Sequence, residues 1–130
     1  MSGRNTILVV DDTASILNVV AHTLAGAGYR PLTAATAMDA VALARHVRPD
    51  LILMDIMMPG LEGSVASGLM RDLEELRDVP VLLMSALPEE DLRERAAEAG
   101  ATGFLAKPFR KERLLELVGR TLHEAAPQTA

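Results

Sequence analysis

Cysteine and tryptophan are missing from the 130 residues, and the aromatics amount to Tyr29, Phe104 and Phe109. Without cysteine there is no disulfide framework, no thiolate metal site and no thiol nucleophile. Positive charge is in deficit as well, with a net charge of −5. Nucleic-acid binding rests on basic patches, so direct contact with nucleic acid is not expected. No apolar run approaches the roughly 18 residues that span a bilayer. Met1 to Asn5 has no long apolar core behind it, so it does not read as a signal peptide. Internal repeats, low-complexity tracts and interdomain linkers are absent too. What is left is a soluble, cytoplasmic chain of one domain, too short for two.

Apolar residues make up 49 % of the sequence and are concentrated in short runs. Leu51-Ile52-Leu53-Met54-Asp55 is bounded by Pro49-Asp50 and Pro59-Gly60, which is the length of a strand buried on both faces. Thr6 to Val10 and Val81 to Met84 are runs of the same kind. The first is followed by Asp11-Asp12, the second by Ser85. Tyr29 to Ala34 is a weaker strand, and Pro31 removes a ladder donor there, which places it at an edge. Gly103 to Ala106 is a short fifth strand.

Helical patterns separate these runs. One follows Asp12 or Thr13 at its cap, with Ile16, Leu17, Val20 and Leu24 on one face, and ends at Gly26 and Gly28. Thr36 caps a second, with Val41, Ala44 and Val47 at apolar spacing, stopped by Pro49. A third is expected from about Ser64 to Leu76. The fourth starts at Pro88-Glu89-Glu90-Asp91, acidic residues against the positive dipole end, and stops at Gly100. The fifth runs from about Arg110 to Glu124. The domain is thus expected over residues 1–124, with 125–130 as a short disordered tail.

Five strands alternating with five helices predict an α/β domain, a doubly wound parallel sheet with helices on both faces. Right-handed crossovers restrict the topology further. With the three continuous apolar strands in the middle, the order is 2-1-3-4-5, the flavodoxin-like arrangement. That order brings strand 1 beside strand 3, so Asp11, Asp12 and Asp55 converge at the carboxyl edge. Clustered carboxylates repel unless a counter-charge is present. A hard divalent cation supplies one, and Mg²⁺ is usually held by one or two carboxylates and waters. Lys107, at the end of strand 5, brings an ammonium to the same edge, and Ser85 a hydroxyl. Such a set suits stabilisation of a transferring phosphoryl group, with a carboxylate as nucleophile. Asp55 stands alone beside Ser85 and Lys107 and is the candidate acceptor, which leaves Asp11 and Asp12 to hold metal.

With these residues assembled, the chain resembles a receiver domain of the bacterial response-regulator family over roughly Thr6 to Leu122. Its marks are Asp11-Asp12, Asp55 with Met58-Pro59-Gly60 after it, Ser85-Ala86, and Lys107-Pro108-Phe109. The resemblance implies a switch that is not an enzyme in the ordinary sense. Asp55 accepts phosphoryl from a phosphohistidine on a sensor histidine kinase or phosphotransfer protein. Asp12, Asp55 and the main-chain carbonyl of Met57 ligate Mg²⁺, with Asp11 acting partly through water. Lys107 and Ser85 bind phosphoryl oxygens. Phe104 occupies the family's switch position and turns inward as Ser85 is drawn to the phosphoryl group. A cis Lys107-Pro108 bond is implied as well. The output surface is then the helix after Ser85, the Phe104 strand and the last helix, facing a downstream protein that the sequence does not identify.

Two departures stand out. Met57 and Leu87, two residues past the acceptor and the hydroxyl, flank the path of attacking water, and neither side chain hydrogen-bonds a water. A longer-lived phosphoryl group is expected. Gly100 to Phe104 lacks the acidic pair that often precedes the switch aromatic in dimerising, DNA-binding regulators. Two alternatives compete with the switch. A haloacid-dehalogenase-type aspartyl phosphatase wants Asp-x-Asp-x-Thr on strand 1, where this chain has Asp11-Asp12-Thr13, and a late acidic pair that does not follow Lys107. A pseudo-receiver that keeps the fold without phosphorylation is opposed by the intact acidic cluster. A Rossmann-type dinucleotide site is excluded because no Gly-x-Gly-x-x-Gly follows strand 1. No stretch reads as an output domain, so the chain is expected to be a stand-alone regulator or a piece of something longer.

Overall fold

Strands β1 (Thr6–Val10), β3 (Leu51–Asp55) and β4 (Val81–Ser85) are buried at every position, as runs with no polar face require. They come from a computed structural model that describes residues 4–57 and 76–125. β2 (Arg30–Ala34) and β5 (Gly103–Ala106) complete a parallel five-stranded sheet in the order β2-β1-β3-β4-β5. The Pro31 strand lies on one edge and pairs only with β1; the Phe104 strand lies on the other and pairs only with β4. Four helices are found among the described residues: α1 (Ala14–Gly26), α2 (Ala37–Val47), α3 (Glu89–Ala99) and α4 (Lys111–Ala125). The helix expected near Ser64 to Leu76 lies outside the described residues except for Leu76, which is buried in the core, and the Met58-Pro59-Gly60 turn before it and residues 126–130 lie outside as well. The helix α4 extends through Ala125, one residue into the stretch expected as tail.

Alternation along each strand splits the core in two. Leu8, Val10, Ile52, Met54 and Leu83 face α2 and α3, packing with Ala40, Ala44, Leu92 and Ala96. Ile7, Val9, Leu51, Leu53, Leu82 and Met84 face the other way, against Val20 and Leu24 of α1 and Leu114, Leu117 and Val118 of α4. Fully burying such a side chain contributes about 1.5–3 kcal/mol, so the central strands anchor the domain. No helix among the described residues is long and apolar enough to cross a membrane.

On two helices the expected face turns inward, with differences in which residues are fully covered. The buried stripe of α2 is Ala37, Ala40 and Ala44, while Val41 and Val47 are only half-buried. A stripe of small side chains turns inward because it lets the helix backbone lie close to the sheet. On α1, Val20 and Leu24 are buried, and Ile16 and Leu17 pack against the same core while half-covered. Helix ends follow local chemistry. Thr36 Oγ accepts from Asp39 N–H at 3.1 Å and starts α2. Gly100, at φ 70°, closes α3 in the left-handed conformation that costs glycine nothing. Pro88 is the N-cap of α3 rather than part of its first turn. At the N-terminal edge of the sheet, Thr6 and Asp50 are joined twice: Thr6 N–H donates to Asp50 Oδ2 at 2.7 Å and Asp50 N–H to Thr6 O at 2.8 Å.

Candidate functional site

The sheet's hydrogen bonds continue one step past several strand ends, and those steps fix the site. Asp11 N–H donates to Ala34 O at 3.2 Å, Ile56 N–H to Met84 O at 3.1 Å, and Lys107 N–H to Ser85 O at 2.7 Å. Backbone held this way presents Asp11, Asp55, Ser85 and Lys107 at one edge with little freedom. The Lys107-Pro108 peptide bond is cis.

Asp11 is fully buried and Asp55 is 6 % exposed, whereas Asp12 points into solvent. One carboxylate oxygen from each of the three lies within 4.8 Å of the others. Lys107 Nζ donates to Asp11 Oδ2 at 2.7 Å and to Asp55 Oδ2 at 3.4 Å. The other oxygens take backbone donors: Asp11 Oδ1 accepts from Thr13 N–H at 2.9 Å, and Asp55 Oδ1 from Met57 N–H at 3.0 Å. Burial pushes the Asp55 carboxyl above the usual carboxylate range, and the Asp11 charge adds to the rise. The Met57 amide and the Lys107 ammonium oppose it without cancelling it. The cluster is therefore under-neutralised. Three carboxylates and one ammonium leave two negative charges, the charge of one divalent cation. A set of hard oxygen donors, part buried and part open to water, fits Mg²⁺.

Beside Asp55 is a cavity of about 330 Å³ lined by Asp55, Met57, Ser85, Ala86, Leu87, Pro88 and Lys107. Its rim is mostly apolar. Ser85, buried, accepts from Leu87 N–H at 3.0 Å, which leaves its own hydroxyl proton available. Met57 is 53 % exposed at the mouth. A buried carboxylate, an ammonium, a hydroxyl and an acidic cluster that fits a divalent cation, all around one cavity, are parts that phosphoryl transfer can use.

The sequence model described as the response regulator receiver domain matches residues 7–119. The chain belongs to that family. Relatives agree. PhoB of Pseudomonas aeruginosa, a phosphate regulon transcriptional regulatory protein, is 38 % identical over 123 residues, which is 94 % of this chain and 53 % of PhoB. DivK of Brucella anthropi, a polar-differentiation response regulator, is 29 % identical over 92 % of this chain and 98 % of its own. The solved structure of the chemotaxis protein CheY4 of Vibrio cholerae superposes with a TM-score of 0.86 at 35 % identity, covering 91 % of this chain and 98 % of that one. The chain spans about half the length of PhoB and of the ycf27 and RpaA regulators it also matches. As a receiver domain it is a phosphorylation-dependent switch of two-component signalling, a phospho-acceptor in place of a conventional enzyme.

Five of the residues singled out from the sequence thus meet at one edge of the receiver domain: Asp11, Asp12, Asp55, Ser85 and Lys107. Phe104 lies apart from the cavity. It pairs with Leu83 in the β4–β5 register, two steps before the Ser85–Ala106 pair, so Phe104, Ala106, Leu83 and Ser85 share one face of the sheet. One feature of the receiver domain escaped sequence reasoning. Arg93 of α3 lies over the Phe104 ring, 5.3 Å from its centroid, and no periodicity or motif marks that pair.

Proposed function

We propose that the receiver domain takes a phosphoryl group onto Asp55 from a phosphohistidine on a sensor histidine kinase or phosphotransfer protein. A carboxylate oxygen attacks phosphorus, the P–N bond breaks, and the imidazole leaves with the electron pair and regains a proton. Asp12, Asp55 and the Met57 carbonyl would hold Mg²⁺, with Asp11 contributing partly through water. When bound, the cation draws charge from the phosphoryl oxygens. The ammonium of Lys107 has three donors, of which Asp11 and Asp55 engage two, and the third is free for a phosphoryl oxygen. Ser85 donates a hydrogen bond from its hydroxyl to another. As Ser85 moves, Phe104 turns inward along the shared face, and the surface of α3, β5 and α4 changes for an unidentified downstream protein. A cytoplasmic location accompanies this reading.

The observation that carries it is Lys107 donating to both Asp11 and Asp55 beside the buried Ser85. Incubation with Mg²⁺ and acetyl phosphate, followed by peptide mapping after borohydride trapping, is the test. Label on Asp55, lost in Asp55→Asn, is the expected result. Label on Asp11 instead would restore the aspartyl-phosphatase reading, and no label at all would favour an interaction module without phosphorylation.

A further inference from the structure

Arg93 leaves α3 with its guanidinium over the face of Phe104, within the roughly 6 Å at which a cation is drawn to an aromatic quadrupole. The same guanidinium also donates from Nη2 to Glu89 Oε2, at 3.3 Å and one helical turn earlier. Glu89 is the first residue of α3, directly after the Ser85-Ala86-Leu87-Pro88 loop that walls the cavity. Phe104 is half-buried, so its outer ring face is the one a side chain from α3 can cover. A chain of contacts therefore runs from the loop after Ser85, through Glu89 and Arg93, to the ring of Phe104.

We propose that Arg93 is a positioning residue for Phe104, a clamp that holds the ring on the α3 side while Asp55 is unmodified. The inference rests on the reading of Phe104 as the element that turns when Ser85 moves. An inward turn takes the ring away from the guanidinium, so the strength of this contact sets how far the unphosphorylated domain already populates the turned state. An exposed cation–π contact corresponds to about a two- to fivefold bias between two ring positions. Phosphorylation has to overcome that bias. Weakening the clamp raises the resting signal without touching the acceptor site.

The chain has only two phenylalanines, so ring-¹³C phenylalanine gives two aromatic spin systems, with Phe109 as internal control. Spectra are recorded on the full chain, first alone and then with Mg²⁺ and beryllofluoride, which stands in for the phosphoryl group. In the absence of beryllofluoride, Arg93→Gln is expected to move the Phe104 signals about two- to fivefold further toward their beryllofluoride position. Phe109 should stay in place, and Arg93→Lys should restore most of the wild-type pattern. Arg93 is 66 % exposed, so both variants keep the core intact. Phe104 signals that respond to beryllofluoride but not to Arg93→Gln would overturn the clamp and leave the switch standing. Signals that move in Arg93→Gln but never with beryllofluoride would uphold the clamp and remove Phe104 from the switch. Signals indifferent to both would remove both.

Discussion

Lys107 sits 2.7 Å from Asp11, a carboxylate 96 residues earlier in the chain that has no exposure to water. Among the described residues this pair is the tightest ionic contact at the carboxyl edge, and it is unequal in its consequences. The ammonium spends its closest contact on Asp11 and reaches Asp55 only at 3.4 Å. Asp55 is thus left under-neutralised and adjacent to the cavity.

Removing the ammonium strands a buried charge. Breaking one partner of a fully buried pair costs roughly 3–5 kcal/mol, and partial exposure of Lys107 lowers that to about 2–3 kcal/mol for Lys107→Met in metal-free protein. Mg²⁺ neutralises the same carboxylates, so the cation should stabilise Lys107→Met more than wild type. At one fixed Mg²⁺ concentration, 100 times the wild-type Kd, wild type gains about 2.7 kcal/mol and Lys107→Met, which binds the cation more tightly, gains more; Asp12→Ala should abolish most of the gain. Urea melts with and without Mg²⁺ decide it: an equal gain in wild type and Lys107→Met would show that metal and amine do not share the cluster.

The raised carboxyl of Asp55 makes stability depend on pH in a defined direction. Its folded pKa lies above the unfolded value near 3.8, mainly through burial. Its contribution is therefore fully present below the unfolded value and declines as pH rises through the folded one. Asp55→Asn lacks that decline. Thermal melts in chelator should show the variant gaining on wild type as pH rises through this window, and the two converging below it. A variant that loses ground as pH rises would refute the assignment.

Met57 and Leu87 line the cavity with groups that do not hold water. Asp55 phosphate should consequently be slow to hydrolyse. Met57→Asn combined with Leu87→Glu offers a polar partner to the attacking water, and one good hydrogen bond corresponds to about a tenfold faster loss. Timing the decay of ³²P label on wild type and double mutant measures this, and matched decay rates would count against it.

Gly119 is a helix-interior glycine whose cost is avoidable. A Cβ there would meet the Tyr29 hydroxyl at 3.7 Å, an ordinary contact. Gly119→Ala should stabilise the domain by about 0.5–1 kcal/mol, read as a raised urea midpoint at unchanged slope. A lowered midpoint would mean that α4 must approach Tyr29 more closely than this distance implies.

The parts of the fold that could be read directly were those where one residue type leaves few choices. Short apolar runs such as the four residues Leu51 to Met54 have no polar face, so they become central parallel strands, and the strand order then delivers Asp11, Asp55, Ser85 and Lys107 to one edge. The inward face of α2 was legible through Val41 and Ala44, but its full depth was not, because Ala37 and Ala40 are fully covered by being small and carry little apolar signal of their own. The Arg93–Phe104 contact was equally hidden. It joins a helix to a strand through one rotamer of a long side chain, and spacing along the chain does not encode it. Sequence pattern speaks to periodic burial and to strand ends, and says little about which exposed cation finds which ring.

The paired bonds between Thr6 and Asp50, far from the chemistry, carry a consequence for it. Side chains on a strand swap faces with every residue, so a slip of β3 by one place against β1 would swing Asp55 to the wrong side of the sheet. Locking the two strands together at their starting ends sets the alignment Ile7 with Leu51 through Val10 with Met54. The acids at the opposite rim then arrive level with each other, aimed from a distance by a threonine amide and an aspartate that never meet a phosphate.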